Sequence, residues 1–169
     1  NPYTINGLES STVYDFYVRA NCGGGDVSNY SNVYTAGTEC APVATLPFLM
    51  DFASIAGYTS TSASTNNLPY CWSHISSTSG NYSGYPIIYA SATYASSGNN
   101  SMRFYNYPTS GTYDDQIAIL PPIDTDVNPM NTLQIALDAR ALNTSYTFSL
   151  DVGIMTDPTD RNTFVTMQN

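Results

Sequence analysis

Apolar and polar residues alternate in short runs along the whole chain, and nowhere is a helical repeat sustained. Such alternation puts every second side chain on one face of an extended segment and predicts half-buried strands. Residues 3–8 and 13–21 alternate in this way, with Tyr14, Phe16 and Val18 sharing a face. Cys22-Gly23-Gly24-Gly25-Asp26 predicts a turn, and 31–35 the returning strand. Further on, the pattern predicts strands at 48–52, 70–75, 87–90, 101–105, 116–120, 133–140, 147–155 and 163–167. The Ser/Thr/Asn/Gly stretches between them, such as 58–67 and 76–84, are too polar to pack and predict loops. Gly37-Thr38-Glu39-Cys40-Ala41-Pro42, with Pro47 beyond it, reads as a linker.

These elements predict an all-β chain of 169 residues in two parts, 1–38 and 39–169. The first part holds three strands, too few to cover both faces of a core. We therefore expect 1–38 to be the tail of a domain. The second part, with eight short strands, suits a two-sheet jelly roll, and we expect it to be incomplete at its C-terminus.

Composition narrows the function classes. The chain has no lysine, and four arginines face thirteen acids, for a net charge of −9. Nucleic-acid binding rests on neutralising phosphates with Lys and Arg, so this balance argues against it, and against anionic membrane surfaces for the same reason. No apolar run reaches membrane-spanning length, which argues against membrane insertion. Fifteen tyrosines and the Val, Ile and Phe content argue against disorder. Three cysteines leave an odd one in any scheme of intrachain pairing. Three unpaired thiols are the alternative, and with no CxxC pair or neighbouring histidine a metal site on them is not indicated.

Two resemblances add to this reading. The run Leu8-Glu9-Ser10-Ser11-Thr12-Val13-Tyr14 resembles the start of the penultimate strand of a fibronectin type III domain. There a leucine plugs the core and a tyrosine hydroxyl folds back to an upstream backbone group. The second part resembles the MAM-like jelly-roll modules of Bacteroidetes surface proteins, of the cleaved-adhesin and choice-of-anchor J type. The matching runs are Leu46-Pro47-Phe48-Leu49-Met50-Asp51-Phe52, Leu68-Pro69-Tyr70-Cys71-Trp72, and Ser101-Met102-Arg103-Phe104. Others are Asp115-Gln116-Ile117-Ala118-Ile119-Leu120-Pro121-Pro122-Ile123 and Asp151-Val152-Gly153-Ile154-Met155-Thr156-Asp157-Pro158.

The resemblance implies a partial fibronectin type III sandwich followed by a jelly-roll β-sandwich, in a secreted or cell-surface protein. It implies a disulfide between Cys40 and Cys71, with the partner of Cys22 in a strand outside this sequence. It also implies a structural calcium ion held by Asp51 and Asp115, although Asp51 stands where the family more often has Glu. For the other acids, Asp114, Asp124, Asp126, Asp157 and Asp160, calcium ligation competes with ordinary capping of turn amides.

Candidate chemistry beyond this is thin. His74 is the sole histidine, and no nucleophile elbow accompanies it. The three consecutive glycines lack the lysine and helix of a phosphate loop. Trp72, Tyr82, Tyr85, Tyr89, Tyr94, Tyr105, Tyr107 and Tyr113 supply aromatic surface for stacking on sugars, or equally half-buried strand positions with a wet hydroxyl. We expect Trp72 in the core and Tyr82, Tyr85 and Tyr107 in loops, available to a ligand. The expected role is non-catalytic: adhesion, ligand binding or the spacing of neighbouring modules of the same chain, with a surface glycan or an extracellular host protein as partner. The alternative is the accessory carbohydrate-binding domain of a secreted glycoside hydrolase or peptidase.

Overall fold

A computed structural model describes residues 2–77, 80–105, 115–142 and 149–168. The described residues are built from strands and turns, with three single-turn 3₁₀ segments and no α-helix. In chain order the strands are β1 (Val13–Phe16), β2 (Asn21–Gly23), β3 (Asp26–Val27), β4 (Tyr34–Gly37) and β5 (Ser73–Ser76). They continue with β6 (Ile87–Ala90), β7 (Asn100–Arg103), β8 (Gln116–Ile119), β9 (Val152–Ile154) and β10 (Val165–Gln168). They pair two by two and antiparallel: β1 with β4, β2 with β3, β5 with β8, β6 with β7, and β9 with β10. The all-β expectation holds.

In the first part the Tyr14 hydroxyl accepts a hydrogen bond from the Glu9 amide at 3.0 Å, the fold-back expected of that tyrosine. Gly23, Gly24 and Gly25 all take positive φ, so the triple glycine turns β2 into β3. Leu8, expected as a core plug, is instead 38 % exposed, because no second sheet covers it among the described residues. Residues 3–8 form no ladder either.

The second part starts at a stapled joint. Cys40 and Cys71 form a disulfide with a Cα–Cα distance of 5.7 Å. Beside it the Tyr70 hydroxyl donates to the Thr38 carbonyl, and its ring lies where a Cβ on Gly37 would stand. Any side chain at 37 would collide there. The Ser11 amide donates to the Glu39 carbonyl, and the Ala41 amide to the Ser11 hydroxyl, so the linker is tied to both sides.

The core sits at β6. Ala63, Tyr85, Ile87 and Ile88 are buried, and Tyr58, Tyr82, Tyr89 and Tyr105 pack against the cluster. One edge of β6 pairs with β7. The other is closed by side chains and a loop: the Asn67 carboxamide accepts from the Ile88 amide and donates to its carbonyl, at 2.8 and 2.9 Å. The Tyr58 amide also donates to the Ile88 carbonyl, and the Ala90 amide to the Tyr58 carbonyl. Every buried polar group on this strand edge thereby finds a partner, which a buried strand requires. Two loops come close enough to do this because Gly57 and Gly84 carry no side chain; a Cβ there would meet Ala90 and the Thr65 backbone.

Besides 3–8, two further predicted strands are not strands. Residues 48–52 follow Pro47, which has no amide donor, and end at Phe52 with a left-handed φ of 60°. Residues 133–140 alternate well but join no ladder among the described residues, and Ile135 and Leu137 are 60 % and 54 % exposed. Of the predicted strand 147–155, residues 147 and 148 lie outside the described residues, and the ladder covers Val152–Ile154.

Candidate functional site: an arginine–tyrosine ladder

The sheet register assembles the site. Tyr89 stands opposite Ser101 in the β6/β7 ladder, and Ile87 stands opposite Arg103. Because side chains alternate, Ser101, Arg103 and Tyr105 follow one another on the same face, with Ile87 and Tyr89 beside them. Arg103 is therefore flanked by Tyr89 on one side and Tyr105 on the other. Its guanidinium carbon lies over both rings, 4.9 Å from the Tyr89 centroid and 5.1 Å from that of Tyr105. Both distances suit cation–π attraction.

The ladder extends both ways. Tyr105 packs on Tyr82 and Tyr85 with centroids 5.1 and 5.7 Å apart. At the other end Tyr89 meets Tyr94 at 6.5 Å, and the Arg140 guanidinium lies 5.4 Å over the Tyr94 ring. Arg140 Nη1 also donates to the Thr93 carbonyl at 3.2 Å, and Asp138 at this end accepts from the Ser96 hydroxyl at 2.6 Å.

Three anchors fix the ladder. Gln116, the first residue of β8, accepts from the Tyr105 amide at 2.9 Å and donates to its carbonyl at 2.6 Å. A side-chain amide thus stands in for a backbone pair and holds Tyr105 where β7 ends. The Tyr85 hydroxyl donates to the Thr61 carbonyl at 2.8 Å. Burial raises the Tyr85 phenol above its ordinary pKa, against the opposing influence of Arg103, so the hydroxyl stays protonated and able to donate. Finally, the Tyr58 hydroxyl shares a hydrogen bond with the Thr65 hydroxyl at 2.9 Å, bracing the loop over the core.

The expected ligand residues are placed differently from one another. Tyr85, expected in a loop and available to a ligand, does lie just ahead of β6 but is wholly buried. It supports the neighbouring rings and cannot stack on a ligand. Tyr82 is half-buried at the end of a 3₁₀ turn (Gly80–Tyr82), against the core. Tyr107 lies outside the described residues. Trp72, expected in the core, is half-buried and meets Phe52 edge-on at 6.0 Å, with its indole nitrogen enclosed and without a partner among the described residues.

Arg103 and Arg140 were not singled out by sequence reasoning. The signal was there: Arg103 and Tyr105 are two residues apart on a predicted strand, which puts them on one face. In a chain with four cations, each merits that check.

Asp51 and Asp115, the expected calcium ligands, both line a wide open recess of about 3460 Å³. Arg103, Arg140 and Arg161 line it as well. The recess is far larger than the roughly 300–1,000 Å³ of a small-molecule pocket. Asp51 Oδ1 accepts from the Ala53 amide at 2.9 Å, and Asp115 is ion-paired with Arg161. No group of three or more His, Cys, Asp or Glu gathers among the described residues. Asp124 and Asp160 cap turn amides two residues on, at 3.1 and 2.9 Å. Asp157 accepts from both the hydroxyl and the amide of Thr159, and these bonds hold its carboxyl below the usual pKa. Asp114 is outside the described residues. His74, half-buried on β5, shares a hydrogen bond with the Asn66 amide at 2.9 Å.

No protein-family model matches this chain, and no curated protein or solved structure does. No helix among the described residues is long and apolar enough to cross a membrane. The Cys40–Cys71 disulfide fits an oxidising compartment outside the cytosol.

Proposed function

We propose that the chain is a non-catalytic binding module, serving adhesion or ligand capture, in a modular secreted or cell-surface bacterial protein. In this reading residues 1–38 are the last strands of a fibronectin type III sandwich, and 39–169 belong to a MAM-like jelly roll. The observation that carries the reading is the tyrosine–arginine ladder beside an open recess, where aromatic faces and guanidinium donors stand together. Tyrosine and arginine are enriched among the residues that dominate binding, tyrosine for its large contact area and arginine for its fork of hydrogen-bond donors. The ladder favours a glycan over a protein ligand, since its rings form a row suited to a chain of pyranose faces. It thereby also supports the second reading, an accessory carbohydrate-binding domain of a secreted glycoside hydrolase or peptidase.

The test is a panel of neutral and acidic glycans and extracellular matrix proteins presented to the immobilised protein. Retention of at least one class, with loss of that retention in Tyr89→Ala, is the expected result. Retention of none would sink the reading.

A structural calcium at Asp51 and Asp115 belongs to the same proposal. The ion would replace Arg161 at Asp115 and would draw further oxygens from backbone and water to reach roughly six to eight ligands. Thermal melting with calcium and then with excess chelator tests it. A midpoint higher by several degrees in calcium is expected, and coincident curves would remove the metal from the account.

A further inference from the structure

We propose that Arg103 takes the carboxylate of a uronic-acid polysaccharide, so that the ladder selects acidic over neutral glycans. This rests on the binding-module reading above and adds the chemical class of the ligand.

Arg103 is half-buried, and its guanidinium carries five N–H donors in a planar fork. Among the described residues the one ion pair is Arg161 with Asp115, and no protein acceptor bonds the Arg103 side chain. The side chain is only half-buried, and among the described residues the buried side-chain nitrogen without a partner is that of Trp72, so the Arg103 donors stay open to a ligand. Here the two tyrosine rings hold the guanidinium between them and leave N–H donors for something else. A planar carboxylate meets such an edge through two parallel hydrogen bonds. The fork is fixed before any ligand arrives, which lowers the ordering cost of binding.

The setting also matters. With a net charge of −9 and no lysine, the chain does not attract anions by its overall field. Recognition of an acid must therefore be local and geometric, which a held guanidinium provides. The flanking rings of Tyr105, Tyr89 and Tyr94, which line the recess, suit the C–H faces of sugar rings, which an acidic peptide lacks. Arg140 over Tyr94 repeats the guanidinium-on-tyrosine unit further along the row. A polymer with carboxylates at regular intervals matches such a repeat.

Calorimetric titration with oligomers of galacturonate, mannuronate–guluronate and glucuronate–N-acetylglucosamine tests the proposal. Each is compared with the same oligomer after reduction of its carboxyls to alcohols, an arm that needs no mutation. At least one acidic oligomer should bind ten-fold or more tighter than its reduced form. Arg103→Gln should lose that preference, and Arg103→Lys should recover little of it, because an ammonium is a point charge without the fork. Arg140→Gln should lose less, and more with longer oligomers. An unchanged melting midpoint in Arg103→Lys shows that the loss is one of binding and not of folding.

Equal affinity for acidic and reduced oligomers would overturn the proposal while leaving the binding module standing. Equal affinity for polyglutamate of matched length would overturn it in favour of an acidic polypeptide. Retention of no glycan at all, acidic or neutral, would overturn both it and the glycan-binding reading.

Discussion

The β1/β4 and β6/β7 pairs are each four-residue antiparallel ladders, with β-branched or aromatic residues in β1, β4 and β6. Their surroundings make them opposites. No described residue from 2 to 40 is buried, and Tyr34 in β4 is 70 % exposed, whereas Ile87 and Ile88 in β6 are fully buried. Backbone pairing alone therefore does not make a core. At β6 the Asn67 carboxamide and the Tyr58 loop close the open edge, and the loop reaching Ala63 covers a face. Beyond β1 the side-chain bonds, such as Ser31 to the Val18 amide, prolong the pairing toward the strand's own partner β4 and cover neither face. A strand is stabilised by what lies on its faces, and roughly 25 cal/mol per Å² of apolar area removed from water is available only where something covers it.

The contrast can be broken in three ways. Ile87→Ala deletes buried atoms and leaves a cavity, so we expect a loss of about 2–5 kcal/mol. For a chain of this size that is a fall of very roughly 5–20 °C in melting midpoint. Val18→Ala, at a side chain 72 % exposed, should stay within about 0.5 kcal/mol. Similar midpoints for the two variants would abolish the distinction between the regions.

Next in size is the staple. Cys71→Ser opens a loop with a sequence separation of 31, which should cost about 3–4 kcal/mol through the freedom regained by the unfolded chain. Cys22 is exposed and free, and Cys22→Ser should melt with the parent protein. A disulfide-deficient protein of undiminished stability would show that the joint between the regions carries no load.

The smallest effect sharpens the comparison from the side of the first region. Tyr14→Phe removes one acceptor for the Glu9 amide, at an exposed site, and about 0.5 kcal/mol or somewhat more should follow. Amide exchange at Glu9 is the direct readout. Protection unchanged by the substitution would mean that the fold-back does not hold the segment.

Legibility followed the same divide. Segment 87–90 was read as a strand residue for residue, and 116–120 within one residue, because alternation and β-branched content agree with the ladders they enter. The cysteine pair suggested by resemblance is bonded. The segment 133–140 alternates equally well and enters no described ladder. Its pattern records readiness to pair and cannot name a neighbour. Tyr85 misled for the complementary reason. It sits among Ser and Gly, in a stretch that reads as exposed, but the loop from Tyr58 to Thr65 folds over it and makes it the centre of the core.

The amino-acid sequence by itself determined the all-strand character, the acidic and lysine-free surface, the turn at the three glycines and the residues able to form the staple. These depend on local sterics, charge and composition, which act over a few residues at a time. Only the tertiary structure decided which tyrosine is buried, which edge is closed by an asparagine, and that Arg103 stands between two rings without an acceptor among the described residues. Those outcomes depend on groups far apart in the chain meeting at hydrogen-bond and van der Waals distance, and short-range pattern carries no information about that meeting.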